Sequence, residues 1–231
     1  MAAKPLACAS CPVRDRAACS SLSPEERGEL ARIGRHVNLV RGETLFSTGD
    51  QETGCATLMS GALKISSFDP DGTEHILSLV HPAGFVGELF ATVQRHDVIA
   101  LTDSTLCVFS GPEYAKAVAR FPALARALLR RSAEDLFESR EWLRLIGRRT
   151  SQQRVAGLLL AMARAASHSP CHAAPRFELP LTRQEMAGLL GTTIETVSRQ
   201  LTKMQSGGII EREGRRGLQI VELAALEALA A

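Results

Sequence analysis

Between Val37 and Phe109 the chain is interrupted by turn formers roughly every ten residues, and this cadence restricts the fold more than any other feature. Arg41-Gly42-Glu43, Thr48-Gly49-Asp50, Ser60-Gly61, Asp69-Pro70-Asp71-Gly72 and Pro82-Ala83-Gly84 supply the breaks. The runs between them are short and β-prone, as in His75-Ile76-Leu77-Ser78-Leu79-Val80. Regular turns between short strands predict a small antiparallel barrel or roll.

The flanks read differently. Residues 1 to 20 are short on bulky apolar side chains and have the look of a tail that needs something to order it. Ser23-Pro24-Glu25-Glu26 is a helix start with acids in the first turn. After Ser110-Gly111-Pro112 the pattern turns helical: Leu129, Leu136 and Leu143 repeat every seven residues, with Ser132, Ser139 and Ile146 at the companion positions. One reading is an amphipathic helix lying on its own barrel. The other is a dimerisation helix, which a reader of palindromic DNA needs. Gly147-Arg148-Arg149-Thr150 resembles a hinge, followed by a helix from Ser151 to Ala166, a polar loop from Ser167 to Pro175, and a short strand from Arg176 to Leu179.

The last segment carries a helix-turn-helix pattern. Thr182 to Leu190 has one apolar face and a Thr cap with Glu185 three residues on. Gly191 follows, and then a helix from Thr192 to Gln205 with Ile194, Val197 and Leu201 on one face. Ala187, four positions before the turn glycine, permits close helix approach, and Val197, six after it, packs back into the core. Gly207-Gly208 ends the second helix, and two strands around Glu213-Gly214-Arg215-Arg216-Gly217 make a hairpin wing. Glu195, Ser198 and Arg199 share a face of the second helix. Arg clamps guanine O6 and N7, and Glu accepts from cytosine N4. Arg183, Gln184, Thr193 and Thr196 are expected on phosphate.

Three of the six cysteines form Cys8-x2-Cys11-x7-Cys19 near the N-terminus. Cys-x2-Cys alone suits zinc, redox or iron–sulfur chemistry, because the intervening turn points both sulfurs to one centre. Cys19 adds a third ligand, and a cubane cluster needs four. Cys107 lies in the strand-like Thr105-Leu106-Cys107-Val108-Phe109, where a buried structural thiol and a ligand are both open readings. As a ligand it would close a loop of roughly 90 residues, tying the tail to a rigid strand against substantial chain entropy. Cys55 and Cys171 are isolated and read as small buried or incidental residues.

A chain of 231 residues accommodates two domains. Its formal net charge of +2 makes any basic footprint local, and one Trp and one Tyr disfavour base-stacking platforms. The first ten residues lack the apolar run of a signal peptide, and no stretch approaches a membrane span, so a cytoplasmic protein is expected. In a reducing cytosol the cysteines are not a disulfide framework. No nucleophile–base constellation is present, which argues against an enzyme.

Together these motifs resemble the Crp/Fnr superfamily, and within it the FNR (fumarate–nitrate reduction regulator) oxygen sensors. The resemblance rests on Cys8-x2-Cys11-Pro12-x6-Cys19, Leu106-Cys107-Val108, Gly87-Glu88-Leu89 and Glu195-Thr196-Val197-Ser198-Arg199. It implies an α+β chain with an N-terminal cyclic-nucleotide-binding-like β-roll, a long dimerisation helix and a C-terminal winged helix-turn-helix. The segments expected are a cysteine-rich tail over 1–22, a β-roll over 23–116, a dimerisation helix over 117–147 and a DNA-binding domain over 148–231. It further implies a 4Fe-4S cluster on Cys8, Cys11, Cys19 and Cys107 that is intact only without oxygen. The Glu195, Ser198 and Arg199 trio would read a TTGAT half-site within a palindrome. Expected partners are double-stranded DNA, a second copy of the chain and RNA polymerase. Two departures stand out. The Cys11–Cys19 gap is longer than in the family's best-known members. Where the cyclic-AMP branch places an Arg-Ser or Arg-Thr pair, this chain has His96-Asp97, and an Asp there is expected to repel a phosphate.

Overall fold

The computed structural model describes residues 8–51, 53–148, 150–167 and 172–231, and the chain divides into two compact units between Phe137 and Glu138. The first unit opens with two 3-10 turns, Cys8–Ser10 and Ala18–Ser21, and helix α1 (Pro24–Ile33). Ser23 caps α1, accepting from the Glu26 N–H while the Glu26 carboxylate takes the Ser23 N–H, so two otherwise orphaned donors are satisfied.

Among the described residues eight strands follow: β1 (Gly34–Leu39), β2 (Thr44–Phe46), β3 (Gly54–Ser60), β4 (Leu63–Phe68), β5 (Glu74–Val80), β6 (Phe85–Gly87), β7 (Asp97–Ala100) and β8 (Ser104–Ser110). They pair antiparallel in two four-stranded sheets, β1-β8-β3-β6 and β2-β7-β4-β5, and the expected turns fall between them. The roll is filled by Leu39, Phe46, Leu58, Leu63, Val98, Leu106, Val108 and their neighbours. Gly87 sits where β6 crosses β3 closely. Its φ is +103°, and a Cβ there would collide with the Gly54 carbonyl oxygen, so only glycine fits.

Side chains alternate across a strand. On β8, Leu106 and Val108 point into the roll, which leaves Cys107 and Phe109 on the outer face. There a second apolar cluster collects Leu30, Phe109, Tyr114, Phe121 and Leu124, with Cys8, Cys19, Cys107 and Leu128 at its edge. The N-terminal segment is more closely packed than its composition suggested. Val13 and Ala17 are each only 1% exposed, against Met59 and Ala83. Small side chains four residues apart on a turning chain fill that narrow space without bulk.

The helix expected over 117–147 is two helices, α2 (Gly111–Arg120) and α3 (Pro122–Arg148). The break is Phe121, whose extended backbone (φ −113°, ψ 91°) is what a residue preceding proline prefers. The two faces of α3 differ in burial. Leu124 and Leu128 join the outer cluster, whereas Leu129 (73% exposed), Leu136 (52%) and Leu143 (71%) lie bare to solvent, with Phe137 beside them.

The second unit holds α4 (Ser151–Ala166), β9 (Arg176–Glu178), α5 (Arg183–Leu189), α6 (Ile194–Ser206), β10 (Ile210–Glu213), β11 (Gly217–Ile220) and α7 (Leu223–Ala230). Thr150 and Gln153 form a capping box that starts α4 where the hinge was expected, and Arg149 lies outside the described residues. Strands β10, β11 and β9 make an antiparallel sheet in that order. Helix α7 was not anticipated. Its Leu226 is fully buried and packs α7 on α4.

Candidate metal centre and nucleic-acid interface

The Cys8-x2-Cys11 spacing forms a turn in which the Cys11 N–H donates to the Cys8 carbonyl at 3.5 Å. The chain then curls through Val13 and Ala17, joined by an N–H to carbonyl bond of 2.9 Å, and presents Cys19 from the second 3-10 turn. Cys107 faces this segment from the outer side of β8, opposite His36 on β1 and Thr57 on β3. Cys8, Cys11, Cys19 and Cys107 thereby line one apolar cavity of about 30 Å³. The Cys107 Sγ lies 3.3 Å from the Met59 Sδ.

These thiols feel one another. Burial first, then the charge of Cys11, raises the Cys8 thiol. Burial, Cys11 and Cys8 raise Cys19. Cys107 is pushed up to about 12 by burial and then by Cys11, Cys8 and Cys19. Burial and mutual repulsion both disfavour the thiolate form, and a bound cation would reverse that balance. Cys55 is fully buried and raised by burial alone, in keeping with a structural thiol. Cys171 lies outside the described residues.

The donor set is four soft sulfur ligands lining one cavity. Among the described residues no three His, Cys, Asp or Glu side chains gather closely enough to share one metal. In a cubane each iron takes one thiolate, so four sulfurs stand around a volume instead of meeting at a point. Soft sulfur ligands in an apolar setting are the donor chemistry such a group would need.

A second cavity, of about 550 Å³, lies between the roll and α3 and is lined by Phe85, Glu88, Gln94, His96, Leu129 and Arg131 among others. The Glu88 carboxylate is already engaged. It accepts from the Arg95 N–H at 3.2 Å and from the Arg95 guanidinium, and lies 3.3 Å from the His96 ring. Burial pushes the Glu88 carboxyl up, yet Arg95 and His96 outweigh it and hold it below the usual carboxylate range. Asp97 is held to the loop after β2, where Thr48 Oγ1 donates to its carboxylate at 2.7 Å.

In the second unit Thr182 and Glu185 form the capping box of α5, as the spacing predicted. Gly191 makes the turn at φ +56°, and Arg154 of α4 holds that turn by the Leu190 carbonyl at 2.9 Å and the Gly191 carbonyl at 3.3 Å. Ala187 and Val197 are buried at the helix crossing. Helix α6 seats Val197, Leu201 and Met204 in the core. Ile194, assigned to that face by its spacing, is instead 42% exposed, because the first turn of α6 projects beyond the core. Glu195 and Arg199 are exposed beside it. Ser198 is half-buried and accepts from Arg183 Nη1 at 3.2 Å, so a residue expected on phosphate also braces one expected on a base. Thr193 caps α6, accepting from the Thr196 N–H at 3.3 Å, and Thr196 in turn lies 3.5 Å from the Arg199 guanidinium. Gln184 sits one residue after Arg183 in the first turn of α5. Arg215 and Arg216 occupy the tip between β10 and β11.

Residues 153–229 match the Crp-like helix-turn-helix domain family, and residues 36–121 match the cyclic nucleotide-binding domain family. The transcriptional activator protein FnrL of Cereibacter sphaeroides is 33% identical over 95% of this chain and 90% of its own length. The nitrogen fixation regulation protein FixK of Bradyrhizobium diazoefficiens is 32% identical, covering 97% of this chain and 94% of its own. The structure of FixK2 from Bradyrhizobium japonicum superposes with a TM-score of 0.78 at 25% identity, covering 86% of this chain and 98% of that one. Among the described residues no helix is long and apolar enough to cross a membrane. With a roll, a long helix and a winged reading head in this order, the chain belongs to the Crp/Fnr family of DNA-binding transcriptional activators.

Proposed function

We propose that this activator responds to oxygen through a 4Fe-4S cluster held by Cys8, Cys11, Cys19 and Cys107. The observation that carries the reading is the convergence of these four thiols, three from the N-terminal segment and one from β8, on a single apolar cavity. When bound, such a cluster supplies an oxygen-labile tie across that cavity. The rest of the mechanism belongs to the chain. Tying the tail to β8 closes a loop of roughly 90 residues and keeps Val13 and Ala17 against Met59. Cys8, Cys19 and Cys107 border the apolar cluster that contains Leu124 and Leu128 of α3. Release of the tail therefore loosens the packing beneath the first turns of the helix whose exposed leucines Leu129, Leu136 and Leu143, followed by Ile146, pair with a second copy. A paired molecule presents two α6 helices to a palindrome of TTGAT-type half-sites. There Glu195, Ser198 and Arg199 read base edges, and the exposed Ile194 suits a thymine methyl. Arg183, Gln184, Thr193 and Thr196 hold the backbone. RNA polymerase is the expected downstream partner.

The test is anaerobic purification with iron and acid-labile sulfide quantified per chain, and operator binding followed before and after admitting air. The expected result is a brown protein whose binding is lost in air. Cys19→Ser abolishes iron uptake and Cys55→Ser retains it. Colourless, air-insensitive protein carrying zinc, or tight operator binding by metal-free chain, refutes the reading.

A further inference from the structure

We propose that Arg27 is a positioning residue of the thiol centre, clamping the Cys19 turn by its backbone and fixing a positive charge against the sulfurs. This rests on the cluster reading above. The 3-10 turn that presents Cys19 is closed by the Leu22 N–H on the Cys19 carbonyl at 3.3 Å, and the carbonyls at its end stand within reach of a further donor. One guanidinium serves them: Arg27 Nε donates to the Cys19 carbonyl at 3.2 Å, and Nη2 donates to Ser20 at 3.4 Å and Leu22 at 3.1 Å. The planar fork spans these acceptors from two separate nitrogens, whereas a lysine ammonium would have to serve them from a single one. The fork is itself held steady, since Arg27 stands in the first turns of α1, directly after the Ser23–Glu26 capping box.

The same side chain lines the cavity shared by Cys8, Cys11, Cys19 and Cys107. Four thiolates on a cubane core leave a net negative charge in an apolar site, and reduction adds another. A fixed cation at the wall favours that more negative state, and net charge and hydrogen bonding near the sulfurs are levers on cluster potential. A purely structural turn clamp would leave the potential where it is.

Two variants of the full-length chain separate these effects, Arg27→Gln and Arg27→Lys. In metal-free protein, amide hydrogen exchange over residues 18–22 is expected to rise about tenfold in both, because charge-assisted bonds to the turn are lost. In anaerobically reconstituted protein the midpoint potential is expected to fall clearly in Arg27→Gln and much less in Arg27→Lys, which keeps the charge. Unchanged exchange in both variants overturns the clamp. Faster exchange with an unmoved potential in Arg27→Gln overturns the charge role. A wild-type chain that takes up no iron refutes the cluster reading and the charge role with it, while the exchange data still decide the clamp.

Discussion

Arg199 and Glu195 are exposed on the open side of α6 while Val197 and Leu201, on its other side, are locked in the core. Losing the Arg199 fork should therefore cost contact and not fold. Arg199→Ala is expected to weaken binding to a matched half-site by about 1–3 kcal/mol and to relax selectivity at one base. Competition assays with half-sites substituted one base at a time check this, and equal losses on every sequence would reject direct readout. A second residue-scale effect concerns His81. Burial, then the charge of Arg131, pushes its pKa down to about 4. The folded chain thus prefers the neutral ring, while the unfolded chain protonates below about 6.5. Stability from this residue is present above about 6.5 and is lost as pH falls towards 4. Thermal melts across that window should fall less steeply for His81→Gln than for wild type. Residue roles were unevenly legible. Glu195 and Arg199 could be placed from helical spacing alone. Ile194 could not, because spacing gives a direction around the helix but not where the core stops.

At the scale of elements, short-range signals carried most of the information. The Ser23–Glu26, Thr150–Gln153 and Thr182–Glu185 boxes each mark a helix start. Thr182→Ala leaves the Glu185 N–H at the head of α5 without its acceptor. The expected cost is about 1 kcal/mol, read by denaturant unfolding of the whole chain, and a loss near zero would mean that water serves the cap equally well. The break between α2 and α3 is equally local, since Pro122 restricts Phe121, although the heptad repeat of leucines carries no sign of it. Helix α7 was likewise written plainly in Leu223-Ala224-Ala225-Leu226, a run of strong helix formers.

For the molecule as a whole, α3 is the element on which the proposed switch turns. Its first turns rest on the cluster that borders Cys19 and Cys107, and its leucines further on are exposed. Leu136→Glu places a charge in the proposed seam between copies. Under anaerobic conditions it is expected to yield monomers with full iron content and weakened operator binding, checked by analytical ultracentrifugation and iron assay. Retained dimers would shift the seam away from this face.

Turn cadence, capping residues and helical periodicity are properties of neighbours a few positions apart, so the sequence by itself determined the roll, the reading head and the arginine and glutamate it exposes. Contacts that span the chain were decided otherwise. Whether Cys107 met the three N-terminal cysteines depended on which face of β8 it occupied and on what packed there. A strand's alternation says which residues share a face without saying which face is covered. The placing of Arg27 on the Cys19 turn, of Asp97 on Thr48, and of Val13 and Ala17 beneath Met59 had no sequence signature. Each follows from the packing of segments distant along the chain, which only the tertiary structure decided.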